Sequence, residues 1–347
     1  MARNNAIQEW VCLSKTFNFN VKSIYFVKDF GAYHMKYYLI IGILLVLSGC
    51  KTEDESPASN EIDWVAVRSE DQVVLSASWE NPTYLSISEL GWIESIHASP
   101  DGTKLWYMFY PGKDLASDAR TGEFVDDTDI YTSIQESDGD FKFQGILITP
   151  SIASEDKTSA SGTMVDEDGN IWYNSNHEGL ITGDFENENI YRNNELLNFN
   201  EVMANYGNPH YCKAKDELWF DRKLDSEIAI LKNAAANDFS GTPVLAPAPI
   251  NSTNEVVQDN QAWLSKDGNT LYFTSNRHKI GEFFDGPGIF KSIRMPDDSW
   301  TEPELVITSR VAVGDACLNE VEDRLFYVQH FEKDNQFRTG VFYVTLK

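Results

Sequence analysis

The sequence predicts an all-β protein: a β-propeller of five blades, with the ring closed by an N-terminal strand. Three observations carry that expectation. One hairpin pattern recurs five times, each copy is followed by another short β-prone run, and no long helical period interrupts them.

The hairpin is plainest at residues 262–273. A strand over 262–265 meets the turn Lys266-Asp267-Gly268-Asn269, and Leu271-Tyr272-Phe273 forms the returning strand. Asp-Gly between apolar runs suits a tight turn because glycine takes the positive φ such turns need. The returning unit, an aliphatic residue and two aromatics, appears as Leu105-Trp106-Tyr107, Ile171-Trp172-Tyr173, Leu218-Trp219-Phe220, Leu271-Tyr272-Phe273 and Leu325-Phe326-Tyr327. The interval is about 50 residues, which suits a small sheet repeated around an axis. Trp106, Trp172 and Trp219 fall at this repeated position and are expected to be interblade core.

The third strands are expected at Asp129-Ile130-Tyr131, Asn189-Ile190-Tyr191, Glu227-Ile228-Ala229, Gly288-Ile289-Phe290 and Gly340-Val341-Phe342-Tyr343. The last copy stops before a fourth strand. Trp79-Glu80-Asn81-Pro82 matches the outer-strand pattern Trp300-Thr301-Glu302-Pro303, so the N-terminal segment can complete that blade and leave no open edge. Six blades are the alternative, with a partial blade over residues 65–78 built on Val73-Val74-Leu75.

Ser99-Pro100-Asp101-Gly102 and Ser265-Lys266-Asp267-Gly268, together with Thr274-Ser275-Asn276-Arg277, resemble the TolB-like propeller repeat over about residues 90–347. Asp216-Glu217 and Glu322-Asp323 depart from it in lacking the turn glycine. The resemblance implies a fold that serves binding scaffolds, envelope assembly factors and enzymes alike.

Upstream, Met35-Lys36-Tyr37-Tyr38 opens an apolar run that ends Leu47-Ser48-Gly49-Cys50, with a positive start and small residues before the cut. Leu-Ser-Gly-Cys resembles the lipobox of bacterial lipoproteins, which implies lipid on Cys50. The expected organisation is an upstream extension over 1–34, a signal peptide over 35–49, an acidic tether over 50–60 and the propeller over 61–347. The place is then the bacterial cell envelope, anchored to the outer membrane on its periplasmic or surface face.

Basic residues number 28 against 54 acidic ones, a net charge of −26. That argues against nucleic acid and anionic lipid headgroups as partners, since both need basic patches. No Asp-x-Asp-x-Asp-Gly loop, P-loop or dinucleotide fingerprint is present, so no cofactor or metal is expected, and the chain is expected to be a monomer. Cys212 and Cys317 are expected as free, buried thiols.

In a propeller the entry of each first strand and the exit of each second strand share one face. The candidate ligand residues there are His97, Tyr110, His177, Asn208, His210, Arg222, Asn260, Arg277, His278 and His330, with Glu94, Asp259 and Asp315 as candidate catalytic carboxyl groups. Interleaved polar groups and aromatics suit carbohydrate, and loops on a rigid ring suit an envelope protein. Paired carboxyl groups would instead suit a glycoside hydrolase, as in five-bladed arabinanase-type propellers, although blades two and three offer Ser161 and Asn208 in place of acids. A metal site of scattered histidines, of the kind a propeller-type polysaccharide lyase uses, lacks any local ligand spacing.

Overall fold

The computed structural model describes residues 62–121, 128–148, 159–176, 188–197, 199, 205–223, 225–278 and 286–347. Residues 1–61, with the signal peptide, Cys50 and the tether, and His177 lie outside them.

The described chain enters as a strap. Asp63 caps α1 (Trp64–Glu70), its Oδ1 accepting from the N–H groups of Val65 and Ala66 at 3.1 and 3.0 Å. Two short strands follow, β1 (Val74–Leu75) and β2 (Thr83–Tyr84). Blade I is β3 (Trp92–Ala98), β4 (Lys104–Tyr110), β5 (Asp129–Gln135) and β6 (Phe141–Ile148), with α2 (Leu115–Thr121) inserted after β4. Blade II is β7 (Ala160–Val165), β8 (Ile171–Ser175), β9 (Asn189–Arg192) and β10 (Glu195–Leu196). Blade III is β11 (Tyr206–Cys212), β12 (Glu217–Arg222), β13 (Glu227–Lys232) and β14 (Val244–Leu245). Blade IV is β15 (Asp259–Leu264), β16 (Thr270–Ser275), β17 (Gly288–Ile293) and β18 (Glu304–Thr308); blade V is β19 (Ala312–Leu318), β20 (Arg324–Lys333) and β21 (Gln336–Thr345). All pairings within the blades are antiparallel.

The aromatic pairs explain the ring. Neighbouring residues on a strand point to opposite faces, so two consecutive aromatics are both buried only if both faces of the blade are covered. Trp172 and Tyr173 are 0% and 2% exposed, Trp219 and Phe220 both 0%, and Trp106 and Tyr107 8% and 0%. Each such side chain contributes roughly 1.5–3 kcal/mol by leaving water. The apolar clusters accordingly lie between blades, one joining II to III and another III to IV. Cys212 and Cys317 are buried free thiols within them.

Closure is the expected one. Thr83 and Tyr84 pair with Tyr343 and Phe342 as the outer strand of blade V, and Trp79 bridges Leu346. The six-bladed alternative fails because residues 64–70 are helical and Val74–Leu75 joins β18 as a fifth strand of blade IV. The strap therefore crosses the seam between blades IV and V.

Each first strand carries a bulge. Its register breaks at Glu94/His97, Ser161/Met164, Gly207/His210, Asn260/Trp263 and Gly314/Cys317. The first residue in each break is left-handed: Ser95, Gly162, Asn208, Gln261 and Asp315, with φ of 53, 63, 47, 55 and 55°. The bulges re-aim these side chains and backbone N–H groups around the axis, and the functional geometry follows from them.

Candidate functional site: the channel mouth

The bulges are tied into a hydrogen-bonded ring. Ser95 Oγ donates to Asn208 Oδ1 at 3.3 Å, and Asn208 Nδ2 donates to Asp221 Oδ2 at 2.7 Å. Asp221 Oδ1 accepts the Gln261 N–H at 2.8 Å, and Gln261 Oε1 accepts the Asp315 N–H at 3.0 Å. The Asp315 carboxylate in turn accepts the Ser95 N–H. Blade II is bridged rather than included. Asn174 Oδ1 leans over Gly162 to accept the Asn208 N–H at 2.9 Å, and a Cβ on Gly162 would lie 2.0 Å from that oxygen.

Carboxyl groups from three blades meet at this ring. Burial pushes Asp221 up to about 7, against hydrogen bonds from Asn208 and Gln261 and the Lys223 charge, with Asp315 adding to the rise. Asp315 is also pushed up to about 7, by burial and then by the Glu94 charge. Glu94 reaches about 7 through burial, opposed by the Trp92 indole and the Lys223 ammonium. Its side chain is 28% exposed, the only one of the three that solvent reaches substantially.

His330 stands beside it, with Nε2 3.3 Å from Glu94 Oε1 and its ring edge-on to Trp92 at 5.5 Å. Burial holds its pKa down at about 4, so the imidazole is neutral at pH 7. Lys223 supplies the nearby cation and is paired with Glu188, whose oxygens also accept from Ser159 Oγ at 2.7 Å and Asn174 Nδ2 at 2.9 Å. Gly207 makes room for that lysine: a Cβ there would meet Lys223 Cε at 2.4 Å. The turn of the long β20–β21 hairpin lies four to five residues beyond His330, and Asp114 and Lys113, just before α2, hydrogen-bond to Phe337 and Arg338 on that hairpin.

Of the predicted residues, the structure brings together Glu94, Asp315, Asn208 and His330. The others have different surroundings. Asp259 is 1% exposed and spent on structure: Oδ1 accepts from Arg277 at 2.6 Å and Oδ2 from the Ser252 N–H at 2.8 Å. Arg277 also donates to the Pro249 and Ile250 carbonyls. Tyr110 is fully buried, its hydroxyl donating to Asp118 of α2 at 2.6 Å. His97 and His210 lie past the bulges, not at the strand entries. His97 Nε2 is 3.2 Å from the Val165 carbonyl, and His210 Nε2 is 3.1 Å from that of Leu264. Burial lowers them to about 4 and about 3, so both are neutral. Arg222 pairs with Asp225 at the surface, and His278 Nε2 is 2.7 Å from Thr308 Oγ1. Asn260 keeps a buried Oδ1 without a hydrogen-bond partner among the described residues.

Sequence reasoning missed Glu188, Lys223 and the role of Asn174. One signal could have found Asn174: it occupies the register position of Asp221 and Thr274, opposite the residue before each bulge. Among the described residues no group of three or more His, Cys, Asp or Glu side chains is placed to hold a metal, and no helix is long and apolar enough to cross a membrane.

No family model and no curated protein matches the sequence. Solved structures do match in fold. A structure titled "Glycoside hydrolase" is 10% identical with a TM-score of 0.46, covering 80% of this chain and 94% of that one. The GH43 BlXynB protein from Bacillus licheniformis is 12% identical at 0.44, covering 74% and 53%. The putative TolB from Agrobacterium tumefaciens is 14% identical at 0.38, covering 72% and 76%. All three scores lie below 0.5, and the five-bladed propeller rests on the strand order described above.

Proposed function

We propose that the protein is a binding scaffold of the bacterial envelope, anchored through lipid on Cys50, that holds a neutral carbohydrate chain at the channel mouth. The supporting observation is the electrostatic link of Asp315 to Glu94 and to Asp221, carboxyl groups from three blades, with His330 beside Glu94. A carboxyl group titrating near neutral pH both donates and accepts hydrogen bonds, as sugar hydroxyls require. The excess of acid over base disfavours polyanionic chains. Calorimetric titration with neutral and anionic oligosaccharides tests the reading, with Glu94→Gln alongside. Binding of a neutral glycan that weakens in the variant supports it. No glycan binding, with an envelope protein co-purifying instead, moves the assignment to a protein partner. A Cys50→Ala chain recovered from the soluble fraction supports the anchor, and one retained in the membrane removes it.

Hydrolysis is the second reading, favoured by one feature: a neutral-range acid, Glu94, electrostatically linked to a second carboxyl group, Asp315. Release of reducing ends that disappears in Glu94→Gln, with folding intact, would convert the scaffold into an enzyme.

A further inference from the structure

The five bulges enclose a small space. Their left-handed residues, Ser95, Gly162, Asn208, Gln261 and Asp315, all line a cavity of about 40 Å³. The next residue along each first strand lines it too: Ile96, Thr163, Pro209, Ala262 and Ala316. All five blades contribute, so the cavity lies between the first strands at the level of the ring.

Its lining says what would fit. Ile96, Pro209, Ala262 and Ala316 present apolar side chains, and Thr163 is the exception among these neighbours. Thr163 is 5% exposed, and its Oγ1 has no hydrogen-bond partner among the described residues. A buried hydroxyl left unpaired is costly, which favours an occupant that bonds it. Size sets a second condition. A water needs about 10–15 Å³, so the cavity admits roughly two to three heavy atoms. Charge sets a third. The Asp315 carboxyl lines the cavity, His97 and His210 line it in the neutral form, and among the described residues no lysine or arginine does. A carboxylate placed there would meet Asp315 with no cation to compensate it. A methyl group would leave Thr163 unpaired. One methylene carrying one hydroxyl meets all three conditions, since a hydroxyl both donates and accepts.

We infer that the cavity takes the exocyclic hydroxymethyl group of a hexose held at the mouth, its methylene against Ile96, Ala262 and Ala316 and its hydroxyl bonded to Thr163 Oγ1. The inference rests on the carbohydrate reading and narrows it to neutral hexoses, against pentoses, 6-deoxy sugars and uronic acids.

The test titrates the whole chain with methyl glycosides, followed by nuclear magnetic resonance so that weak binding is seen. Two series are used, glucoside, 6-deoxyglucoside, xyloside and glucuronide, and galactoside, 6-deoxygalactoside, arabinopyranoside and galacturonide. Members of a series share their ring hydroxyls and differ only in the group on C5. In at least one series the hexoside is expected to bind about ten-fold more tightly than the other three. Thr163→Val removes the hydroxyl at nearly constant volume. It is expected to cut the preference for hexoside over 6-deoxyhexoside at least five-fold without lowering the thermal midpoint, because the hydroxyl it removes is unpaired in the free protein. A pentoside or 6-deoxyhexoside bound as tightly as its hexoside means that the cavity holds only water. That result, or a preference that survives Thr163→Val in full, overturns the subsite and leaves the carbohydrate reading standing. No binding in either series overturns both.

Discussion

Arg277 donates to Asp259 at 2.6 Å and, through its remaining N–H groups, to the carbonyls of Pro249 and Ile250. The pair ties the connection between blades III and IV to the first residue of β15. Its side chains are 15% and 2% exposed, so removing one partner strands a charge away from water. Asp259→Asn is therefore expected to cost about 3 kcal/mol in urea unfolding while glycan binding by the folded protein persists. The opposite pattern, full stability with binding lost, would return Asp259 to the site.

Gly162 is the position where the ring leaves no space. It has φ +63°, and a Cβ there would lie 2.0 Å from Asn174 Oδ1 and 2.7 Å from the Asn208 backbone nitrogen. Gly139 makes the useful comparison, with φ +91° and nothing within 4 Å. Alanine at 139 pays only for the left-handed backbone, about 1–2 kcal/mol. At 162 it must also break the Asn174–Asn208 bond, so its thermal midpoint is expected to fall well below that of Gly139→Ala. Equal midpoints would mean that the ring is looser than its distances imply.

Glu94 and His330 should give stability opposite dependences on pH. Folded Glu94 holds its proton to about pH 7, whereas the unfolded carboxyl lets it go near 4.5. Its contribution is complete below 4.5 and is lost as pH rises through 7. Folded His330 stays neutral down to about 4, against 6.5 when unfolded, so its contribution is complete above 6.5 and is lost as pH falls through 4. In the whole protein these slopes largely cancel between about pH 4.5 and 6.5. Comparison with Glu94→Gln exposes the first. The stability of the wild type relative to that variant is expected to drop by roughly 2 kcal/mol between pH 4.5 and 7.5, after allowance for the partly exposed carboxyl. A constant difference across that range would show that Glu94 titrates normally.

The ring was legible because burying two consecutive aromatics requires cover on both faces of a strand. Trp172-Tyr173 and Trp219-Phe220 state that in the sequence, and Trp79 stated the closure. The site was legible only in part. Alternation along β3 and β11 puts His97 and His210 at the channel entry, but each strand carries a bulge that no residue type announces. Ser95, Asn208, Gln261 and Asp315 share a left-handed conformation without sharing a side chain. Asp259 was misread for a different reason. A carboxyl at a strand entry looks the same in sequence whether it faces a channel or an arginine 18 residues away.

The strap across the seam carries the last prediction. Blade V has three strands from the C-terminal end, and β2 completes it through Thr83 and Tyr84, while Leu85 and Ser88 hydrogen-bond to Val341 just beyond. β1 covers the outer edge of blade IV on the other side of the seam. Gln329 of β20 donates to the Asp71 carbonyl at 2.6 Å, so the strap is fixed to the second strand of blade V as well as to its outer edge. Trp79 is 5% exposed at the point where the strap meets the last strand of blade V. Trp79→Ala is expected to cost about 3–5 kcal/mol, as for other buried aromatics. Val74→Ala, at a residue 63% exposed on β1, is expected to change little. If closure holds the ring, Trp79→Ala should also speed hydrogen exchange along β20 and β21 and leave β11–β13, on the far side, protected. Uniform acceleration through all five blades would mean that the propeller opens as one unit and that the seam is no weaker than the rest.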